Sequence, residues 1–187
     1  MGDVKSENMT INALVGENIR LRAIEPGDLE FMYTIENDPM IWRVGNTLIP
    51  YSRHQLEQYI LSSQHDLFSE KQVRLMIDLI LPEHGKQTIG VIDLYDFEPQ
   101  HKHAGVGIFI LPSEQGKGYA TEALQVLIRY CFEILNLHLL HCNITADNTS
   151  SIRLFEKAGF VQCGLKKEWR FLDNTWMDEL MFQMIRK

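Results

Sequence analysis

A mixed α/β (α+β) sheet, mainly antiparallel with one parallel strand pair and helices packed on it, is the fold that this 187-residue chain predicts. Three observations carry the prediction. Apolar runs at Val73 to Leu81, Thr88 to Phe97 and Ala104 to Leu111 follow one another across short polar connections, the pattern of an antiparallel meander. The last run is followed by the longest helical pattern in the chain, Tyr119 to Leu135, and then by another apolar run, Leu137 to Thr145. A strand, a helix and a strand in that order make a parallel pair joined by a crossover. Two final runs, Phe160 to Phe171 and Trp176 to Ile185, meet at Leu172-Asp173-Asn174-Thr175, which has the composition of a hairpin turn.

The remaining elements fit around this sheet. Asn18 to Ala23 alternates apolar and polar residues and is expected as the first strand. Pro26 and Asp28 open a helix carrying Leu29, Met32 and Ile35, which is expected to stop at Asp38-Pro39. Ser52 and Gln55 have capping-box spacing, so a second helix runs through Leu56, Tyr59 and Ile60, and the polar stretch Ser62 to Gln72 ends this arm. The stripe of Ala123, Leu124, Leu127, Ile128, Cys131, Ile134 and Leu135 is the buried side of the long helix. Asn148-Thr149-Ser150-Ser151 supplies caps for a short helix that stops at Gly159.

Lys plus Arg is 18 and Asp plus Glu is 25, a net charge of −7 that disfavours a nucleic-acid surface and suits a cationic substrate. No apolar run is long enough to span a bilayer and the first ten residues lack a signal-peptide core, so no membrane partner and a cytoplasmic location are expected. Cys131, Cys142 and Cys163 have neither disulfide nor zinc spacing. His101 and His103, and His138, His141 and Cys142, do not point three ligands inward, so no metal is expected.

Pro112 to Ala120, PSEQGKGYA, places two glycines where a strand gives way to a helix. Helix N-termini present unpaired N–H groups and the positive end of the dipole, a setting for phosphate. The magnesium-nucleotide loop requires a hydroxyl after its lysine, but Gly118 follows Lys117. The dinucleotide fingerprint fails at Thr121, where its third glycine would stand. A phosphate cradle of another kind remains.

Gln115, Gly118 and Ala120 match the pyrophosphate loop of the GCN5-related N-acetyltransferases, the GNAT superfamily. Asn148 to Phe160, NTSSIRLFEKAGF, is similar to that family's Asn-x-x-Ser and Gly-Phe segment. The chain most resembles the branch containing spermidine and ribosomal-protein N-terminal acetyltransferases. Asp93 and Asp96 in GVIDLYDFEP are shared in style with the first, and the Asn148 to Ser151 spacing with the second. The resemblance implies a tail over residues 1–17 and one catalytic domain over 18–187, with a splayed parallel pair.

It also implies acetyl-CoA as co-substrate. Its diphosphate would lie on Gln115, Gly116, Lys117, Gly118, Tyr119, Ala120 and Thr121, and its pantetheine along Phe109, Ile110 and Leu111, with Asn148, Ser151 and Phe155 beside it. A backbone N–H near Ile110 or Leu111 would polarise the thioester carbonyl. The acceptor would be a small polyamine-like amine or a protein N-terminus, attacking directly in a ternary complex. An amine of pKa near 10 needs a carboxylate to attract it and help remove its proton, and Asp93 is the candidate; Asp96 has opposite strand parity. Many family members carry a proton-donating tyrosine where this chain has Phe155, so an acetyl-CoA-binding sensor with little activity is the alternative. Pairing of the terminal strands between subunits would make a homo-oligomer.

Overall fold

The computed structural model describes residues 13–45, 48–62, 67–82 and 86–187. Its strands are β1 (Ile19–Ala23), β2 (Val73–Ile80), β3 (Lys86–Glu98), β4 (His103–Ile110), β5 (Leu139–Thr145), β6 (Val161–Leu172) and β7 (Thr175–Ile185). They form one seven-stranded sheet in the order β1-β2-β3-β4-β5-β7-β6, in which β4 and β5 are parallel and the other neighbours antiparallel. The expected meander, crossover and terminal hairpin are all present. Asp173 and Asn174 take φ values of 49° and 58°, the conformation of a tight hairpin turn between twisted strands. The strand order adds one correction: β7 lies inside the sheet against β5, so only β6 of the terminal pair is an edge.

Helices cover both faces: α1 (Leu29–Glu36), α2 (Pro39–Gly45), α3 (Arg53–Ser62), α4 (Leu67–Glu70), α5 (Tyr119–Arg129) and α6 (Thr149–Ala158). Leu75, Ile92, Leu94 and Val106 pack with Leu124, Leu127 and Phe155 on the face of α5 and α6, while Met76 and Val91 pack with Met32, Ile35, Leu56 and Ile60 on the face of α1 and α3. The Ser52 capping box forms in both directions, at 2.8 and 3.1 Å. Asp38-Pro39 is both a stop and a start: Asp38 Oδ1 accepts the Met40 N–H at 2.8 Å, and Pro39 opens α2, which the sequence did not reveal. The long helix keeps α geometry only to Arg129 and then widens into a π turn over Tyr130–Ile134.

Beneath the start of the sheet a guanidinium ties three elements. Arg22 on β1 donates to both oxygens of Asp28 at 2.7 and 2.8 Å and to Asp78 on β2 at 2.7 Å, while the Thr88 hydroxyl donates to Asp78 at 2.8 Å. Asp78 is fully buried. Burial opposes ionisation of both acids, and the Arg22 bonds outweigh it, so both titrate below the usual carboxylate range.

At the centre of the sheet, the Tyr95 ring lies flat over Gly105. A Cβ built at residue 105 would stand 2.2 Å from Tyr95 Cε2. The ring crosses β4, meets His141 on β5 edge to face at 5.9 Å, and brings its hydroxyl to the backbone N–H of Asn143. Tyr95 is therefore a wedge at the point where β4 and β5 part.

Arg22→Met removes the guanidinium from buried Asp28 and leaves buried Asp78 only Arg20 at 3.4 Å and the Thr88 hydroxyl, and is expected to destabilise the fold by about 3–5 kcal/mol at pH 7 in chemical denaturation. A depressed folded pKa gives stability that is present above the unfolded value near 3.9 and lost as pH falls through the lower folded value. The gap between wild type and variant should therefore narrow below about pH 4. Gly105→Ala is expected to cost about 1–3 kcal/mol through its clash with the ring, and much less in a Tyr95→Ala background, which a double-mutant cycle measures.

Candidate active site

β4 and β5 pair only from His103–Gly105 to Leu139–His141, although β4 continues to pair with β3 as far as Ile110. Beyond Gly105 the two parallel strands have no register with each other. The Leu111 N–H donates to the Ile89 carbonyl at 2.8 Å, so by strand alternation the odd residues of this stretch face β3 and the backbones of Ile108 and Ile110 turn toward the gap. Leu111 is thereby corrected as a carbonyl donor, since its N–H is engaged, and Phe109 shares its orientation. The gap opens into a cavity of about 210 Å³ lined by Gly107 to Phe109, Cys142 to Thr145, and Asn148, Ser151 and Phe155 of the α6 region.

At one end the cavity meets the glycine loop. Gly116 and Gly118 have φ of +77° and +91°, conformations that side chains disfavour, and Gly118 is the N-cap of α5 with no side chain capping the helix. The first-turn N–H groups therefore face outward. A groove of about 410 Å³ runs from this loop past Tyr119, Ala120 and Thr121 to Ser150, Ser151, Leu154 and Lys157. Ile108 and Ser151 line both groove and cavity, so the two adjoin. Gln115 turns its amide inward to the Ile110 carbonyl at 2.9 Å, and Lys117 pairs with Glu114 at 2.9 Å. Main-chain groups therefore dominate the loop. Lys157 is a cation in the groove wall that the sequence reading missed, and it has no ion pair among the described residues.

The other end is charged. Arg74 on β2 holds both oxygens of Asp93 on β3, at 2.7 and 2.9 Å, and also binds Glu36 at the end of α1. Burial opposes the Arg74 charge, and Asp93 and Glu36 more than offset it, holding the guanidinium protonated. Two carboxylates around one guanidinium leave a net charge of −1. Arg170 on β6 forms part of the opposite wall. Ile41 and Gly45 of α2 also line this end; α2 is anchored by the Trp42 indole N–H on the Glu36 carbonyl at 2.6 Å and by Arg43, which binds Asp147 and Asp173.

Of the residues singled out from sequence, Asp93, Phe109, Asn148, Ser151 and Phe155 share the cavity, and Ile110 with the 115–121 loop borders the groove, Lys117 excepted. Asn148 caps α6 through Oδ1 on the Ser151 N–H at 3.2 Å and also faces the cavity. Phe155 is buried edge to face against Phe160, with centroids 5.0 Å apart. Asp96 is exposed on a bulge at φ 48° and lies away from the cavity. Burial pushes the Cys142 thiol up to about 12, so it lines the site protonated. His101 stacks on His103, which meets His141 edge to face, and among the described residues no three His, Cys, Asp or Glu side chains are grouped to hold a metal. Glu36, Arg74, Tyr95 and Arg170 were missed. Arg74 had a signal, a lone cation in an apolar run; Arg170 depends on a bulge that no pattern announces.

A family model described as an acetyltransferase (GNAT) domain matches residues 18–161. The spermidine N(1)-acetyltransferase of Vibrio cholerae serotype O1 is 28% identical over 164 residues, covering 88% of this chain and 91% of the relative. The enzyme of that name from Escherichia coli strain K12 is 26% identical, covering 76% and 73%. A crystal structure of the Vibrio cholerae spermidine N-acetyltransferase in complex with CoA and spermine superposes with a TM-score of 0.81 at 27% identity, covering 90% of this chain and 95% of that one. The gap between two parallel strands, the glycine-opened helix and the match over most of the chain agree: this protein belongs to the GNAT acetyltransferase family and is an N-acetyltransferase.

Proposed function

We propose that the chain transfers the acetyl group of acetyl-CoA to a primary amine by direct attack in a ternary complex. The observation that carries this reading is the adjacency of a groove at the glycine loop and a cavity running from the strand gap to the charged end, with Ile108 and Ser151 in the walls of both. A diphosphate fits the outward N–H groups of the Gln115 to Thr121 loop, with Lys157 nearby, because helix-terminal amides bind anions without a dedicated side chain. A pantetheine arm fits the gap as an added strand on the Ile108 and Ile110 backbones. That the similar Vibrio cholerae structure is in complex with CoA and spermine supports CoA and an amine as ligands of this fold.

The chain's own groups then have distinct tasks. The Ile110 or Ile108 N–H polarises the carbonyl. The net negative charge around Arg74 draws in one ammonium group. Because both Asp93 oxygens are bound by Arg74, Asp93 acts by charge and positioning, and the amine loses its proton to water beside Glu36. Cys142 stays a thiol, which favours direct transfer over an acyl-cysteine relay. Phe155 donates no proton, so the thiolate leaves as an anion; with a thiol pKa near 8.5 this costs about 2 kcal/mol at pH 7 and leaves protonation to solvent.

The same reading takes residues 18–187 as one catalytic domain in the cytoplasm, where the exposed free thiol of Cys163 stays reduced. It includes self-association along β6, whose Val161, Trp169 and Phe171 are exposed on the sheet edge.

Free-thiol release from acetyl-CoA in the presence of polyamines, amino acids and peptides tests the reading, with acceptor-dependent release expected. Phe155→Tyr is expected to raise kcat by no more than about 30-fold, the whole value of protonating the thiolate. A gain of several thousandfold from a nearly silent wild type would instead establish the sensor. Asp93→Asn, which leaves Arg74 underpaired, is expected to lower kcat/KM by about 10- to 100-fold.

A further inference from the structure

Arg170 is the one cation of the cavity wall that does not hold a carboxylate tightly. Its guanidinium donates to the Arg43 carbonyl at 3.0 Å and comes no closer than 3.9 Å to Glu179, whose carboxylate is held by Lys166 at 2.9 Å. Other N–H donors of the fork have no partner among the described residues.

The strand spends a bulge to put Arg170 there. Lys166 pairs with Glu179, and in an unbroken ladder Glu168 would then stand opposite Met177; instead the register slips and Arg170 takes that place. Glu168 is left in the bulge at φ 47°, a strained position for a side-chain-bearing residue, with its N–H on Asp178 at 2.8 Å. Bulges beside active sites re-aim side chains. Here the slip replaces an acid with a base.

The charge balance gives the consequence. Glu36, Arg74 and Asp93 present one net negative charge, and Arg170 one positive, so the lining is neutral overall. Such a wall matches a molecule with one ammonium and one anion better than a polyamine carrying several positive charges. Resting on the transferase reading, we infer that the acceptor is a primary amine that also bears an anionic group, carboxylate or phosphate, and that Arg170 recognises that group.

Matched acceptors test this. Lysine and cadaverine differ by one carboxylate, and O-phosphoethanolamine and ethanolamine by one phosphate; spermidine is run beside them. With wild-type protein and acetyl-CoA, the anionic member of at least one pair is expected to have about tenfold or more the kcat/KM of its partner, and the pair that shows it names the anion. In Arg170→Met that ratio falls toward one, and Arg170→Lys keeps part of it. Thermal melting and CoA binding of each variant report folding, and the ratio within one variant is insensitive to its active fraction. Equal or better use of the non-anionic partner in both pairs, better use of spermidine than of either anionic acceptor, or a ratio that survives Arg170→Met, overturns the inference and leaves the transferase reading standing. If no acceptor releases thiol, the transferase reading fails, and calorimetric titration of lysine and O-phosphoethanolamine into the CoA-loaded protein decides the inference separately: binding lost in Arg170→Met upholds it, and no binding overturns it.

Discussion

β4 and β5 share three residue pairs and then diverge, so the middle of a seven-stranded sheet contains backbone groups with no strand to pair with. Buried peptide groups are rarely left in that state, because each lost hydrogen bond is expensive. The surrounding architecture is arranged around this constraint. Tyr95 occupies the deep end of the divergence, Gly105 lets its ring cross the strand, and α6 closes the gap from the other face with Phe155. What remains open is a slot lined by the Gly107 to Phe109 and Cys142 to Thr145 stretches of the two strands.

The slot also separates two kinds of recognition. On the α5 side, main-chain N–H groups and glycine conformations form the surface, and the side chains that the family pattern emphasises turn elsewhere: Gln115 to Ile110, Lys117 to Glu114. On the α1 side, the cavity wall is made of charged side chains, Glu36, Arg74, Asp93 and Arg170, each fixed by a partner on another element. Removing one of them therefore disturbs its neighbours' charge as well as its own contact.

The succession of strands along the chain, the crossover and the capped helices could be read from the sequence because each rests on local chemistry: alternation in Asn18 to Ala23, the capping box at Ser52, the Asn148 cap, the glycine-opened helix. The glycine loop between β4 and α5 was legible for the same reason. The charged end of the cavity was not. Asp93 was found as a carboxylate, but its capture by Arg74 and Glu36 joins residues 36, 74 and 93, which no local pattern connects. Asp38-Pro39 hid α2 because the same dipeptide ends one helix and begins the next. The slip at Glu168 escaped because its cause lies in pairing across β6 and β7.

A surface made of peptide groups is nearly indifferent to which side chains the sequence carries, while a surface made of four charged side chains changes character with one codon. The loop with Gly116 and Gly118 can therefore hold its ligand steady through long sequence drift. Across the slot, a single register slip on β6 exchanges Glu168 for Arg170. Descendants of such a protein can acquire new acceptors without rebuilding the half of the molecule that supplies the acetyl group.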